Sequence, residues 1–383
     1  MSMISFENGS DCAHFVATCL FGLEGLLGEE LSALGFKRTG TIDGRLYFDA
    51  PLGAIPILNI SLRYAERVYV EVGRARAESF TDLFDCVKSF PWEDFIGFTD
   101  AFPVKGHSIK SRLVSIPDCQ KIIKKSVATR LSGKYRSESL PETGIKKQIE
   151  FFIFKDEASL MIDTSGVPLH KRGYRTESNA APLRETLAAA IAKLSRPRDN
   201  VLFVDPMCGS GTIPIEAALM MTNTAPGLFR SFASEEYGWI DASVWKDARD
   251  LCRNEIREID FRAIASDISP EAIDVASRNV ARSGMGKYIE CRVADALSLE
   301  TGGRRGTVVC NPPYGERLSD VKTAVELYGK MGRAFLALDN WQLYILTNDE
   351  DFERHFGYKS DKTRKLYNGM IPCRLYQYFK KRI

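Results

Sequence analysis

Short apolar runs alternate with amphipathic segments through the first 165 residues. Runs rich in β-branched and aromatic residues predict strands, whereas apolar residues three or four apart predict helices. The predicted strands cover 14–20, 45–49, 67–73, 107–113, 148–154 and 159–163. The predicted helices cover 22–34, 52–62, 79–90 and 118–131. Gly133 is expected to close the last helix, and Asp156-Glu157 to form the turn of a β-hairpin. The mixture indicates one or two small α+β units with partly antiparallel sheets.

The second half of the chain differs, because strands and helices alternate regularly from about Val167. Its predicted strands cover 201–204, 263–265, 289–293, 307–310 and 343–346. This alternation predicts an α/β fold with a doubly wound, mostly parallel sheet. A helix is expected at 244–258, and two last strands, 365–367 and 373–379, should turn near Asn368-Gly369. A parallel sheet that ends in an antiparallel hairpin is typical of class I methyltransferases.

The amino-acid composition argues against several classes of protein. A chain of 383 residues predicts two or three domains, and 44% hydrophobic with 27% charged residues is ordinary for globular proteins. The nine cysteines form no Cys-x-x-Cys pair and the four histidines do not cluster with them, so neither disulfides nor a metal site are expected. A signal-peptide pattern and a membrane-length apolar run are both missing. We therefore expect a cytoplasmic protein with reduced thiols, no membrane contact and no metal.

The strongest local signal is the segment 204–212, Val-Asp-Pro-Met-Cys-Gly-Ser-Gly-Thr, which follows the first strand of the second half. Gly209 and Gly211 permit a sharp turn and bring bare main chain close to a ligand. Pro214 stands where a dinucleotide fingerprint needs its third glycine, and no Gly-Lys-Ser/Thr follows to form a phosphate loop. A tight strand–helix turn without a ligand is the plain alternative.

Two acidic residues follow the next two strands in order. Asp267 ends the second strand and can accept both hydroxyls of a ribose, while the group at Asp295 can meet an adenine amino group. A lone Asp at a strand end is more often a helix cap, and Pro270-Glu271 begins a helix soon after Asp267. The glycine turn and both acids, taken in order, instead predict an S-adenosylmethionine site.

The fourth strand ends in Asn311-Pro312-Pro313-Tyr314-Gly315. An amino group conjugated to a planar ring is a poor nucleophile, because its lone pair is delocalised. The Asn311 side-chain oxygen and the Pro312 carbonyl can each accept one amino hydrogen and so aim the lone pair at a sulfonium methyl. Tyr314 can stack on an extruded base. We therefore expect Asn311, Pro312 and Tyr314 to be the catalytic residues, with a simple Pro-Pro-Tyr-Gly turn as the alternative.

Positive charge is concentrated between Lys105 and Arg136, where nine Lys or Arg residues accompany a single acid, Asp118. Such clustering favours binding to a phosphate backbone, although most charge runs are only solvated faces. A second basic segment, Lys171–Arg175, extends the charge toward the second half. The residues expected to contact RNA are Lys110, Arg112, Lys121, Lys124, Lys125, Arg130, Lys171 and Arg172.

Together these motifs resemble those of the THUMP-domain RNA methyltransferases, in the bacterial branch that methylates guanine N2 of 23S rRNA. The segments 171–175 and 181–185 resemble the pre-motif of that group, whose Pro-Leu packs near the cofactor, and 225–228 and 365–369 resemble its excursion and terminal hairpin. The resemblance implies a ferredoxin-like unit over 1–65, a THUMP RNA-binding module over 66–165 and a Rossmann-like methyltransferase domain over 166–383. The cofactor-binding residues then expected are Leu183, Asp205, Met207, Gly209, Gly211, Thr212, Asp267, Ile268, Asp295 and Ala296.

Other functions stay open at this point. Some relatives carry a second methyltransferase after the hairpin, whereas this chain stops at Ile383, so only guanine-N2 methylation is implied. A tRNA guanine-N2 methyltransferase shares the same domains, and the tetrapeptide Asn-Pro-Pro-Tyr also serves adenine N6. A non-catalytic RNA-binding or assembly factor is a hypothesis of a different class. The intact glycine turn, Asp267 and Asn311 argue against it.

Overall fold

The computed structural model describes residues 12–175, 183–314 and 318–379 and contains two seven-stranded sheets. The first sheet and its helices comprise β1 Cys12–Cys19, α1 Glu24–Ala33, β2 Arg38–Ile42, β3 Arg45–Pro51, α2 Ile55–Ser61, β4 Ala65–Arg76, α3 Phe80–Ser89, β5 Val104–Ile109, α4 Ile116–Tyr135, β6 Ile149–Phe154 and β7 Glu157–Asp163. Its strand order is β2-β3-β1-β4-β7-β6-β5. β5 and β6 are parallel, and the other neighbours are antiparallel.

Strand β4 joins the two N-terminal units into one sheet. It pairs with β1 on one side and with β7 on the other. The predicted border between residues 65 and 66 falls at the first residues of this central strand. The ferredoxin-like and THUMP regions expected from the sequence therefore share continuous backbone hydrogen bonding, which limits independent movement of either unit.

The second sheet and its helices comprise α5 Glu185–Ser195, β8 Leu202–Asp205, α6 Thr212–Met221, α7 Ala242–Asn254, β9 Ala263–Asp267, α8 Pro270–Arg282, β10 Ile289–Val293, β11 Gly306–Cys310, α9 Leu318–Leu336, β12 Trp341–Thr347, α10 Phe352–Phe356, β13 Lys362–Asn368 and β14 Ile371–Tyr378. The order is β10-β9-β8-β11-β12-β14-β13, with the first five parallel and the last two antiparallel. The predicted doubly wound sheet with a terminal hairpin is confirmed. The carboxyl ends of β8, β9, β10 and β11 meet at one edge.

Some predicted boundaries were wrong for identifiable reasons. The fourth helix continues through Gly133 to Tyr135 and is terminated by Arg136, whose φ of 53° is left-handed. The turn before β7 is Lys155-Asp156, with φ values of 53° and 64°, instead of Asp156-Glu157. The exposed edge strand β2 was missed because its side chains supply almost no apolar signal. Helix α5 was not predicted either, and α7 ends at Asn254, before the expected 258.

A buried charge network fixes the N-terminal half against the second sheet. The Glu216 carboxylate on α6 is fully buried, and Tyr174 donates a hydrogen bond of 3.0 Å to it. The Arg63 and Arg172 guanidinium groups lie 3.7 and 3.6 Å from the same carboxylate. Arg63 also donates to the carbonyl oxygen of Thr224 at 2.8 Å. Because removing one partner would leave a buried charge unpaired, this network holds the two halves in one orientation.

Candidate active site

The glycine turn lies between β8 and α6. Gly209 and Gly211 have φ values of 52° and 77°, a left-handed conformation that favours glycine. A Cβ added to Gly209 would meet no heavy atom within 4 Å, so the main chain there faces open space. At Gly211 a Cβ would lie 3.3 Å from the Ala276 Cβ, which ties that glycine to packing against α8. The turn thus combines one glycine needed for packing with one that leaves room for a ligand.

Asp267 holds this turn from the end of β9. One of its carboxylate oxygens accepts a hydrogen bond from the Gly209 N–H at 3.0 Å, and the other accepts from the Ser269 N–H at 3.0 Å. The cap of helix α8 is Ser269, whose hydroxyl accepts from the Ala272 N–H at 3.1 Å. The alternative that Asp267 is merely the cap of that helix is therefore wrong. Each carboxylate oxygen keeps a second lone pair for an incoming hydroxyl.

Asp205, at the end of β8, is almost fully buried and accepts from the Met207 N–H at 3.2 Å. Burial, with a smaller contribution from the nearby Asp267 charge, raises the pKa of the Asp205 carboxyl well above its usual value. Through the hydrogen bond from the Met207 N–H, this carboxyl shapes the start of the loop. Its predicted direct contact with a cofactor stays a prediction.

The remaining predicted cofactor residues border the same edge of the sheet. The Asp267 carbonyl accepts from the Ala294 N–H at 3.0 Å, which brings the segment after β10 next to Asp267. Asp295 is exposed and accepts from the Leu297 N–H at 2.9 Å, while Ala296 is buried. The Ile268 side chain is 73% exposed although it is apolar. An exposed apolar side chain directly after Asp267 in the chain suits a flat ring with polar substituents.

Arg175 connects Leu183 to the glycine turn, and sequence reasoning did not single it out as a site residue. Its guanidinium donates to the Leu183 carbonyl at 2.7 Å, to the Thr212 hydroxyl at 3.2 Å and to the Glu185 carboxylate at 2.9 Å. The predicted residues Leu183 and Thr212 are therefore brought together. Ala181 and Pro182 of the predicted pre-motif lie outside the described residues.

The tetrapeptide after β11 lies beside the terminal hairpin. The Tyr314 hydroxyl donates a hydrogen bond to the Asn311 side-chain oxygen, and the Cys373 sulfur lies 3.8 Å from that hydroxyl. Burial raises the pKa of Tyr314 well above its usual value, so the hydroxyl keeps its proton and remains a donor. Pro312 is buried, and Tyr328 donates to the Pro313 carbonyl at 3.0 Å. The loop is thus held from both sides, while Gly315 lies outside the described residues.

The link between Tyr314 and Asn311 was not foreseen. Sequence reasoning assigned Tyr314 only a stacking role, whereas its ring is partly buried against the core and its hydroxyl orients Asn311. An amide whose oxygen accepts from a fixed donor cannot rotate freely, and its second lone pair points in a defined direction. The arrangement can therefore present one oriented acceptor to an amino group.

The eight residues predicted to contact RNA fall into three groups. Lys110, Lys121, Lys125 and Lys171 have exposed side chains, and the Lys121 ammonium lies 3.9 Å from the Asp118 carboxylate. Closer ion pairs engage three others: Arg112 with Glu78, Lys124 with Glu142 and Arg130 with Glu93. Arg172 is only 5% exposed and donates to the carbonyl oxygens of Leu169 and Arg63. Its predicted contact with RNA is therefore wrong for this structure, because a buried guanidinium in the inter-domain network is not available to a phosphate.

Two further features bear on the site. No group of three or more His, Cys, Asp or Glu side chains is placed to hold a metal ion within residues 12–175, 183–314 and 318–379. In the same part of the chain, no helix is both long enough and apolar enough to cross a membrane.

The fold and the site define a class I methyltransferase with an N-terminal accessory half. Family comparison agrees: the RMKL-like methyltransferase domain matches residues 172–377, the RlmL ferredoxin-like domain 14–69 and the THUMP domain 77–163. The chain belongs to the RMKL-like methyltransferase family. The resemblance expected from the sequence is confirmed.

Individual relatives extend this finding. The chain is 40% identical over 96% of its length to "Putative RNA methyltransferase YpsC" of Bacillus subtilis, of which it covers 96%. It is 32% identical over 96% of its length to "Ribosomal RNA large subunit methyltransferase K/L" of Psychromonas ingrahamii, but spans only 50% of that protein. A solved structure, "SMU.472, a putative methyltransferase complexed with SAH", is 38% identical, covers 98% of this chain and 100% of its own, and has a TM-score of 0.91.

Proposed function

We propose that this protein is an S-adenosylmethionine-dependent methyltransferase that forms N2-methylguanosine in 23S rRNA, in the cytoplasm. The observation that carries the proposal is the oriented Asn311 side chain at the carboxyl end of β11, one strand from the glycine turn after β8. Relatives named as methyltransferases of large-subunit rRNA support the choice of RNA, although the chain spans about half their length. The relative complexed with SAH supports the choice of cofactor.

The residues present fit this cofactor. The open space beside Gly209 admits a ligand against bare main chain, Asp267 has lone pairs for ribose hydroxyls, and Ile268 offers an exposed apolar surface to a ring. When bound, S-adenosylmethionine supplies an electrophilic methyl group on a sulfonium. The proposed methyl transfer depends on positioning and electrostatics, so it does not call for a metal ion.

The chain's own residues prepare the nucleophile. Asn311 accepts one amino hydrogen of the base through the lone pair that Tyr314 leaves free, and the Pro312 carbonyl accepts the other. These two bonds favour a tetrahedral nitrogen, so they are stronger in the transition state than in the ground state. Once S-adenosylmethionine had supplied its methyl group and left as S-adenosylhomocysteine, the nitrogen would carry a positive charge and would release its extra proton to solvent.

Methyl transfer to separated RNA pools tests this proposal. The purified full chain is incubated with tritiated S-adenosylmethionine and with 23S rRNA, 16S rRNA or tRNA, and the RNA is digested to nucleosides. Label in N2-methylguanosine from 23S rRNA is the expected result. Label in tRNA would instead indicate a tRNA guanine-N2 methyltransferase. Label in N6-methyladenosine would show that the methyl acceptor is adenine N6. No transfer to any pool, with intact cofactor binding, would favour the assembly-factor hypothesis and contradict the proposal.

A further inference from the structure

The terminal hairpin of β13 and β14 borders residues 311–314 after β11, which form the proposed catalytic loop. Cys373 on β14 approaches the Tyr314 hydroxyl to 3.8 Å, and the register places Leu366 opposite Cys373 and Asn368 opposite Ile371. Side chains alternate along a strand, so Ile371 lies on the same face of the hairpin as Cys373. At a rise of about 3.3 Å per residue, the turn lies roughly 10 Å beyond Cys373. The hairpin tip is therefore next to the loop that receives the target base.

This tip is unusually apolar for an exposed turn. Met370 is 86% exposed and Ile371 is 45% exposed. Neighbouring apolar side chains that are this exposed contribute little to the core and favour association with other molecules, so stability alone does not account for them. Proteins that contact nucleic acid frequently insert apolar side chains as wedges between stacked bases.

The outer face of the same hairpin carries two opposed cations. Lys365 and Arg374 are directly opposite each other on β13 and β14, and both are exposed. Like charges in this position destabilise a sheet. Neither side chain forms an ion pair with another described residue, although the Lys365 ammonium lies 5.3 Å from the centre of the Tyr367 ring. Glu353 is in the vicinity, but hydrogen bonding from Ser360 is the main reason that its pKa is lowered, ahead of the Arg374 charge.

The N-terminal half holds the hairpin in place. The Phe21 and Tyr367 rings pack edge to face with centroids 5.6 Å apart, and Arg364 donates to the Gly22 carbonyl at 3.1 Å. Gly22 has a φ of 89°, and a Cβ there would lie 2.9 Å from the Lys365 carbonyl oxygen. Only glycine permits this approach without a shift. The half that carries the expected RNA-binding module is therefore continuous with the hairpin and with an exposed aromatic ring, Phe21.

We propose that the terminal hairpin, together with Phe21, is an RNA-contact surface that holds the strand next to the methylated base. Lys365 and Arg374 hold phosphates of that strand, and Met370 with Ile371 fills the gap that the extruded base leaves in the stack. The proposal rests on the proposed function, because it assumes an RNA substrate with an extruded base. RNA fits this surface because its phosphates would neutralise the opposed cations and its bases would cover the apolar tip.

The charge pair is tested by RNA binding of the full chain. The probe is a fluorescein-labelled, single-stranded RNA of 12 nucleotides and mixed sequence, titrated at several salt concentrations. The double variant Lys365→Ala, Arg374→Ala should bind more weakly, and its slope of log affinity against log salt should be shallower by about 1.4, since each phosphate contact contributes about 0.7. The matched control is Lys330→Ala, Arg333→Ala, which removes two exposed charges from α9.

Equal slopes in the two double variants would overturn the phosphate contacts. This measurement needs no methyl transfer, so it remains decisive even if the proposed reaction fails. Calorimetry with S-adenosylhomocysteine should give the same affinity for both variants and the parent, because neither pair contacts the cofactor site.

The apolar tip is tested by Met370→Ser in single-turnover methyl transfer with native and heat-unfolded 23S rRNA. Unstacking a base takes a few kcal/mol, so losing a wedge should slow transfer to native RNA by at least about tenfold and leave the unfolded RNA little affected. Because Met370 is exposed, the unfolding temperature should not change. Equal slowing on both RNAs, or no slowing on either, would overturn the wedge. If the parent enzyme itself transferred no methyl group to either RNA, the proposed function would fail while the binding result still stood.

Discussion

Replacing Asn311 by Ala removes the oriented acceptor at the centre of the proposed mechanism. The Tyr314 hydroxyl donates to the Asn311 oxygen, so in the proposed mechanism the parent enzyme presents a fixed lone pair to the amino group of the base. Loss of one preorganised hydrogen-bonding group lowers turnover by roughly a hundredfold or more, which is about 2.7 kcal/mol at the transition state. Cofactor affinity should stay within about twofold, because Asp267 and the glycine turn bind one another without Asn311.

Tyr314→Phe provides a graded companion to this variant. It keeps the ring for stacking but removes the donor that orients Asn311, an effect of about 1 kcal/mol, or roughly fivefold in rate. A purely stacking Tyr314 would make the substitution silent, and a hydroxyl that merely blocked the acceptor would make the variant faster. The expected order of rates is therefore parent, Tyr314→Phe, then Asn311→Ala.

Single-turnover methyl transfer to 23S rRNA, with enzyme in excess over RNA, isolates this step from product release. Thermal unfolding must accompany it, because Asn311→Ala leaves the half-buried Tyr314 hydroxyl without its acceptor, and an unmet buried donor costs about 1–3 kcal/mol. Isothermal calorimetry with S-adenosylhomocysteine shows whether the cofactor site is intact. An Asn311→Ala enzyme that folds, binds the cofactor and transfers methyl within about threefold of the parent rate would refute the assigned role.

Three other perturbations follow from the structure. Asp267→Ala removes the acceptor of the Gly209 N–H and of the proposed ribose, so calorimetry should show cofactor binding weaker by about 1–3 kcal/mol, and unchanged affinity would contradict the assignment. Lys125→Ala should weaken RNA binding and flatten its salt dependence, whereas Lys124→Ala should do less because Glu142 already pairs with Lys124. Equal effects of the two variants would argue against this division. Burial raises the pKa of Glu30 to about 7, so the unfolding temperature should fall as pH rises from about 4.5 to 7. The Glu30→Gln variant should show a smaller fall. Parallel pH profiles for the parent and the variant would refute this assignment.

The sequence predicted what depends on chain-local signals. The glycine turn, the acids after successive strands and the tetrapeptide are contiguous motifs, and the parallel sheet follows from apolar runs separated by helices. The wrong predictions concern features that tertiary contacts determine. Gly133 stays inside α4 because the helix packs along its length, and β2 carries little apolar signal because it is an exposed edge strand. The Tyr314–Asn311 hydrogen bond and the Arg175 bridge depend on side-chain geometry that spacing alone does not reveal.

Arg172 shows most clearly how charge in a sequence can mislead. Within Lys171–Arg175 the positive residues look alike, yet Lys171 is exposed, Arg172 is buried with Glu216, and Arg175 binds next to the glycine turn. The three positive residues of this segment therefore lie in three different environments. Because Glu216 lies on α6, the helix that follows the glycine turn, the contacts that dock the N-terminal half also brace the proposed cofactor site. If the exposed cations hold RNA as proposed, this network fixes their distance from Asn311, and so it fixes which base can reach the catalytic residue.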